Sequence, residues 1–82
     1  MEKEELKEKI KEAISVIMEI EPEELEDDKL FSKYDNFDSI MAIDVLTQLE
    51  RTFKIKISED RLSEMSNLAN TVEIVYNIVN KN

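Results

Sequence analysis

Leu6, Ile10, Ala13, Ile14 and Ile17 recur at helical spacing along the first nineteen residues, and Met18 widens the stripe. No other feature constrains the fold as much, because a helix with one long apolar face must bury it against another element. The spacing predicts a helix from about Glu2 to Glu19, with Glu2, Glu4 and Glu5 at the positive end of its dipole. Pro22 is expected to end it, since the residue before a proline disfavours the helical region. The alternating lysines and glutamates outside the stripe read as solvated surface.

A long connection follows, Glu21 to Asp38, too long for a simple link in so small a bundle. Leu25, Leu30, Phe31, Tyr34 and Phe37 offer anchors to the core, and Pro22 to Leu25 suits one helical turn. A second helix starts at Asp38 or Ser39 and runs to Phe53. Ala42, Val45, Leu46, Leu49 and Phe53 share an arc of about 100° that forms its core face. Ile40 lies nearly opposite that arc, beside Asp44 and Arg51, and Ile43 is off its edge. Two readings of this surplus stand: a contact surface, or aliphatics covered by the long loop.

Lys54 to Ile57 is expected to be an extended connection that buries Ile55 or Ile57. Ser58 caps a short third helix containing Glu59, Asp60, Leu62 and Met65. Asn70 with Glu73 has the spacing of a capping box and opens the last helix, whose inward stripe is Val72, Val75, Tyr76 and Val79 with Ile78 at the edge. Its β-branched residues also suit a strand, but three preceding helices favour a helix. The fold class is therefore all-α, a four-helix bundle of three longer helices and one short one, in a single domain over residues 1–82.

Composition removes whole classes of function. No cysteine means no disulfide and no thiol nucleophile, and no histidine removes the commonest general base and metal ligand. No glycine excludes phosphate-cradling loops of the dinucleotide or P-loop kind, so the chain is not expected to be an enzyme. The charged N-terminus is unlike a signal peptide and no segment has the length of a membrane span, which points to a cytoplasmic protein. Residues 1–20, 21–50 and 51–82 carry −2, −8 and +1, giving the net −9. That field repels nucleic acid and steers basic protein surfaces toward the loop and the second helix. Asp27, Asp28, Asp35 and Asp38 suggest calcium, but a loop starting at Asp35 has Phe37 third and Ile40 sixth, where a ligand and a glycine are needed.

Asp38-Ser39-Ile40 stands where the acidic loop meets the second helix. A serine at a helix N-terminus is a good place for a covalent phosphate, because free N–H groups and the helix dipole favour an anion there. The tripeptide, followed by Leu49-Glu50, Phe53, the pair Ile55 and Ile57, and Thr71-Val72 with Ile74 and Ile78, resembles the acyl carrier protein family. The resemblance covers essentially the whole length and implies the acyl-carrier type of four-helix bundle. Ser39 would be esterified by phosphopantetheine, transferred from coenzyme A by a separate Mg²⁺-dependent phosphopantetheinyl transferase. The thiol of that arm would hold an acyl or aminoacyl group as a thioester, so a chain without cysteine could serve thiol chemistry.

The resemblance also implies that Asp38 caps the helix and orients Ser39, and that Ile40, Met41, Ile43 and Asp44 form the patch seen by partner enzymes. Those partners are the transferase, an acyl- or aminoacyl-loading ligase and downstream synthase enzymes, with the carrier a monomer and its pathway fatty-acid, polyketide, peptide or D-alanyl. Asp35-Asn36-Phe37 departs from the glycine that many such carriers have before the aspartate, with Asn36 able to adopt a left-handed turn in its place. Phe37, an apolar residue directly before Asp-Ser, is more like D-alanyl and other discrete specialised carriers, and Met41 and Arg51 stand where fatty-acid carriers tend to be acidic, which points away from a fatty-acid synthase partner. The alternative is a small acidic helical interaction module of the same fold without a prosthetic group.

Overall fold

In the computed structural model, which describes residues 2–35 and 37–80, the first apolar stripe becomes α1, Lys3–Met18. Leu6, Ile10, Ile14 and Met18 are buried along it, and Ala13 and Ile17 pack at the margin. Ser15 is buried as well, its hydroxyl donating to the Glu12 carbonyl at 3.0 Å, a back-bond that lets a polar residue sit inside a helix interface. The helix stops before Pro22 has any influence. Glu19 takes the left-handed conformation at φ 57° and returns its N–H to the Ser15 carbonyl, while Pro22 opens a single 3-10 turn, Pro22–Glu24. Pro22 thus starts the next turn rather than ending α1.

The connection is pinned, not loose. Phe31 is buried at the 3-10 turn Phe31–Lys33, with ring centroids 5.8 Å from Phe37 and 6.4 Å from Tyr34. The Tyr34 hydroxyl accepts the Glu26 N–H at 2.9 Å, closing the loop on itself. Phe31 N–H reaches the Ser66 carbonyl and Ala69 N–H reaches the Asp27 carbonyl, which ties the loop to the C-terminal half. Leu25, Phe31, Tyr34 and Phe37 anchor as expected, but Leu30 does not: it is 42% exposed, because the neighbouring Phe31 turns inward in its place. The turn expected of Asn36 lies outside the described residues.

α2, Ser39–Phe53, buries Val45, Leu46 and Leu49, with Ala42 and Phe53 half-buried at the ends of the same face. It ends like α1, in a left-handed residue, Lys54 at φ 56°. The extended stretch after it buries Ile57 fully and Ile55 partly. Ser58 caps a six-residue 3-10 helix, Glu59–Glu64, accepting the Asp60 N–H at 3.3 Å, and Met65 is buried just past its end.

α3, Leu68–Val79, begins three residues earlier than Asn70 implies. Asn67 is the cap, its Oδ1 accepting the Asn70 N–H at 2.8 Å, so Asn70 is inside the first turn and makes no capping box. The inward face is correspondingly Leu68, Thr71, Val72, Ile74 and Val75, with Tyr76, Ile78 and Val79 at the margin. α1 packs against both α2 and α3. Lys3 pairs with Glu73 and Lys7 with Asp27 on the outside of that packing, exposed ion pairs worth at most about 1 kcal/mol each. Each fully buried aliphatic, such as Leu6, Ile10, Ile14 or Leu49, contributes about 1.5–3 kcal/mol and carries the fold. No strand occurs among the described residues, and the architecture is the all-α bundle of three longer helices and one short helix. No helix among them is long and apolar enough to cross a membrane.

Candidate functional site

Asp38 has extended backbone, φ −143° and ψ 179°, and turns its side chain back over the first turn of α2. Its Oδ1 accepts the Met41 N–H at 2.8 Å and its carbonyl accepts the Ala42 N–H at 3.0 Å. The first of these bonds satisfies one of the donors that a helix start leaves free, the second is the opening bond of the helix itself, and the N–H groups of Ser39 and Ile40 remain without an intrahelical partner. Ser39 is the first helical residue and is exposed. The serine hydroxyls that make hydrogen bonds are those of Ser15, Ser58, Ser63 and Ser66, so Ser39 Oγ has no partner among the described residues.

An anion esterified to this oxygen would meet two free N–H groups and the positive end of a fifteen-residue helix, an interaction of about 0.3–1 kcal/mol at an exposed site. The residues present therefore fit a phosphate on Ser39. Among the described residues no three carboxylates converge on one point.

The surroundings are acidic and unpaired. Asp35, Asp38 and Asp44 are exposed, and none is in an ion pair among the described residues. Ile40 is 71% and Ile43 45% exposed, so the loop does not cover them, and with Asp44 they form one outward face of α2. Met41 is set apart from that face. It is half-buried and turned toward the loop, where it lines a cleft with Met18 and Tyr34.

Beneath the same end of α2 lies an apolar cavity of about 240 Å³, which nothing local in the sequence announces. Phe37 and Ala42, two residues before and three after Ser39, form part of its wall; Ile14, Met18, Phe31, Val45, Leu62 and Met65 add to its apolar lining. The wall is drawn from α1, the loop, α2 and the stretch from Leu62 to Ser66, so only the tertiary fold brings it together.

A family model described as "Phosphopantetheine attachment site" matches residues 8–75. The chain is 39% identical over 69 residues to "Polyketide-8 synthase acyl carrier protein 1" of Streptomyces avermitilis, covering 84% of this chain and 82% of that protein. It is 26% identical over 69 residues to "Polyketide-8 synthase acyl carrier protein 2" of the same organism, covering 84% and 79% respectively.

Proposed function

The chain belongs to the phosphopantetheine-attachment family of acyl carrier proteins, and from that premise we propose that Ser39 is the residue that takes the arm. The protein is a phosphopantetheine-bearing carrier and not a catalyst, and its partners are synthase enzymes. A module of the same fold without a prosthetic group is thereby disfavoured.

One observation carries the assignment to Ser39. Of the six serines, it alone is an exposed first residue of an α-helix, with free N–H groups beside it and a carboxylate cap one residue before. Ser15 is buried and hydrogen-bonded in α1, and Ser58 is itself occupied as a cap. In the transfer, Ser39 Oγ gives up its proton to a base of the transferase and bonds to the phosphorus of the phosphopantetheine half, while the pyrophosphate bond of coenzyme A breaks and adenosine 3′,5′-bisphosphate leaves. Asp38 holds the first turn of α2 so that Oγ faces outward. Once attached, the arm supplies the thiol that bears acyl or aminoacyl cargo.

Ile40, Ile43 and Asp44 supply the surface that partner enzymes meet, with the acidic loop steering basic surfaces toward that end. Met41 joins from the loop side of the turn. The transferase and a cargo-loading ligase are the first two partners, and the names of the relatives favour a polyketide-type synthase as the third. A monomeric state, a cytoplasmic location and one carrier domain over residues 1–82 complete the reading.

The test is intact-mass measurement after incubation with coenzyme A, Mg²⁺ and a broad-specificity transferase. Wild type gains one phosphopantetheine and Ser39→Ala gains none. A variant that still gains the group overturns the assignment.

A further inference from the structure

The residues of α2 include only three charges, Asp44, Glu50 and Arg51. Eight of the ten acids in residues 21–50 precede the helix. Glu50 gives its carboxylate to the Ile57 N–H at 2.7 Å, so α2 is left with one free negative charge and one free positive charge. At about 100° per residue, Ile40, Ile43, Asp44, Thr47 and Arg51 share one arc of about 100°. All five are exposed. Asp44 and Arg51 are two turns apart on it, about 10 Å along the axis.

The positive end continues past Arg51. Lys54 and Lys56 are exposed too, and none of these three bases is in an ion pair among the described residues, although acids outnumber bases 20 to 11. Glu50 stands four residues before Lys54, the spacing of a helical ion pair, but is turned to Ile57 instead. The negative end of the helix dipole favours bases here and leaves their charged groups open to a second contact.

We infer that Arg51, with Lys54 and Lys56 behind it, selects which synthase enzymes dock on α2 by taking a carboxylate of the partner, while Asp44 takes a base. The inference rests on the reading that partners meet this face. A seat that is basic throughout is the simplest complement of a chain of net −9, yet it sets a like charge against Arg51. A seat with a base and a carboxylate two turns apart satisfies both ends and covers Ile40 and Ile43. It fits along α2 in one direction only, which presents Ser39 at the head of the helix the same way each time. The planar guanidinium suits this role, because it takes a carboxylate bidentately.

The test titrates the full chain, without coenzyme A, with two alanine-based helical peptides. One has a lysine and a glutamate seven places apart with two leucines between; the other has lysine at both places. Amide shifts read the site and the affinity at fixed ionic strength. Wild type should bind the lysine–glutamate peptide about two- to fivefold tighter, the range of one exposed charge pair, with shifts centred on Ile40 to Arg51. Arg51→Glu, checked for unchanged helical circular dichroism, should reverse the preference, and Arg51→Gln should remove it. Tighter or equal binding of the all-lysine peptide by wild type, a preference that survives Arg51→Glu, or no binding of either peptide to this face overturns the inference. None of these outcomes touches the attachment site, which fails separately if wild type gains no mass with coenzyme A and transferase.

Discussion

Two carboxylates, one capping α2 and one in its last turn, accept backbone N–H groups at nearly the same distance, and they serve opposite ends of the helix. Glu50 Oε2 takes the Ile57 N–H at 2.7 Å in a partly buried setting, so the chain leaving α2 is tied back onto it. Asp38 Oδ1 takes the Met41 N–H at 2.8 Å at an exposed start, and what it holds in place is the turn under Ser39. Beyond Glu50 the helix ends in Lys54 and the buried Ile57; beside Asp38 stand the exposed Ile40 and a hydroxyl with no partner. One end is closed by its own chain and the other is left open for another molecule. The same interaction stabilises the fold at one end and organises a surface at the other.

Substitutions along α2 should grade accordingly in urea unfolding. Leu49→Ala, at a fully buried position, should cost about 2–5 kcal/mol and bring most of the fold down with it. Glu50→Ala leaves the Ile57 N–H unpaired in a partly buried place and should cost about 1–3 kcal/mol without changing the mass gained at Ser39. Asp38→Ala should cost about 1 kcal/mol through the lost cap, while Asp38→Asn, an equally good cap, should stay within about 0.5 kcal/mol of wild type. If the carboxylate also orients Ser39 for the transferase, both Asp38 variants load more slowly; normal loading of Asp38→Asn would reduce Asp38 to a cap.

Lys54→Gly should raise stability by about 0.5–1 kcal/mol, because a left-handed lysine costs about 1–2 kcal/mol and glycine returns part of that as entropy. Ile40→Ala should change stability by less than about 0.5 kcal/mol while weakening the interaction with a synthase partner. A loss comparable to that of Leu49→Ala would mean that the open end is part of the core, and the contrast would fail.

The long helices were legible because a 3.6-residue period survives wherever one face is buried: the stripes of α1 and α2, and the outward phase of Ile40 and Ile43, follow from spacing alone. The ends were harder to read. Both αL caps fall on Glu19 and Lys54, residues that carry no turn signal, in a chain with no glycine to mark such places. The start of α3 was misplaced because Asn67 and Asn70 are both able caps. Leu68, fully buried, and the Ala69 N–H bond to Asp27 fix the earlier start, and neither is a local property. In the loop, where no period exists, adjacent Leu30 and Phe31 were equally plausible anchors. The candidate site divides the same way: Asp38 and Ser39 stand out in one tripeptide, whereas the cavity wall is assembled from four separate stretches of chain.

Which serine carries the arm is measured directly by peptide fragmentation of the wild-type protein after loading. Phosphopantetheine should be found on Ser39 alone, with the other five serines unmodified. Its appearance on Ser32, Ser63 or any other serine, with Ser39 bare, would contradict the reading of the open end of α2.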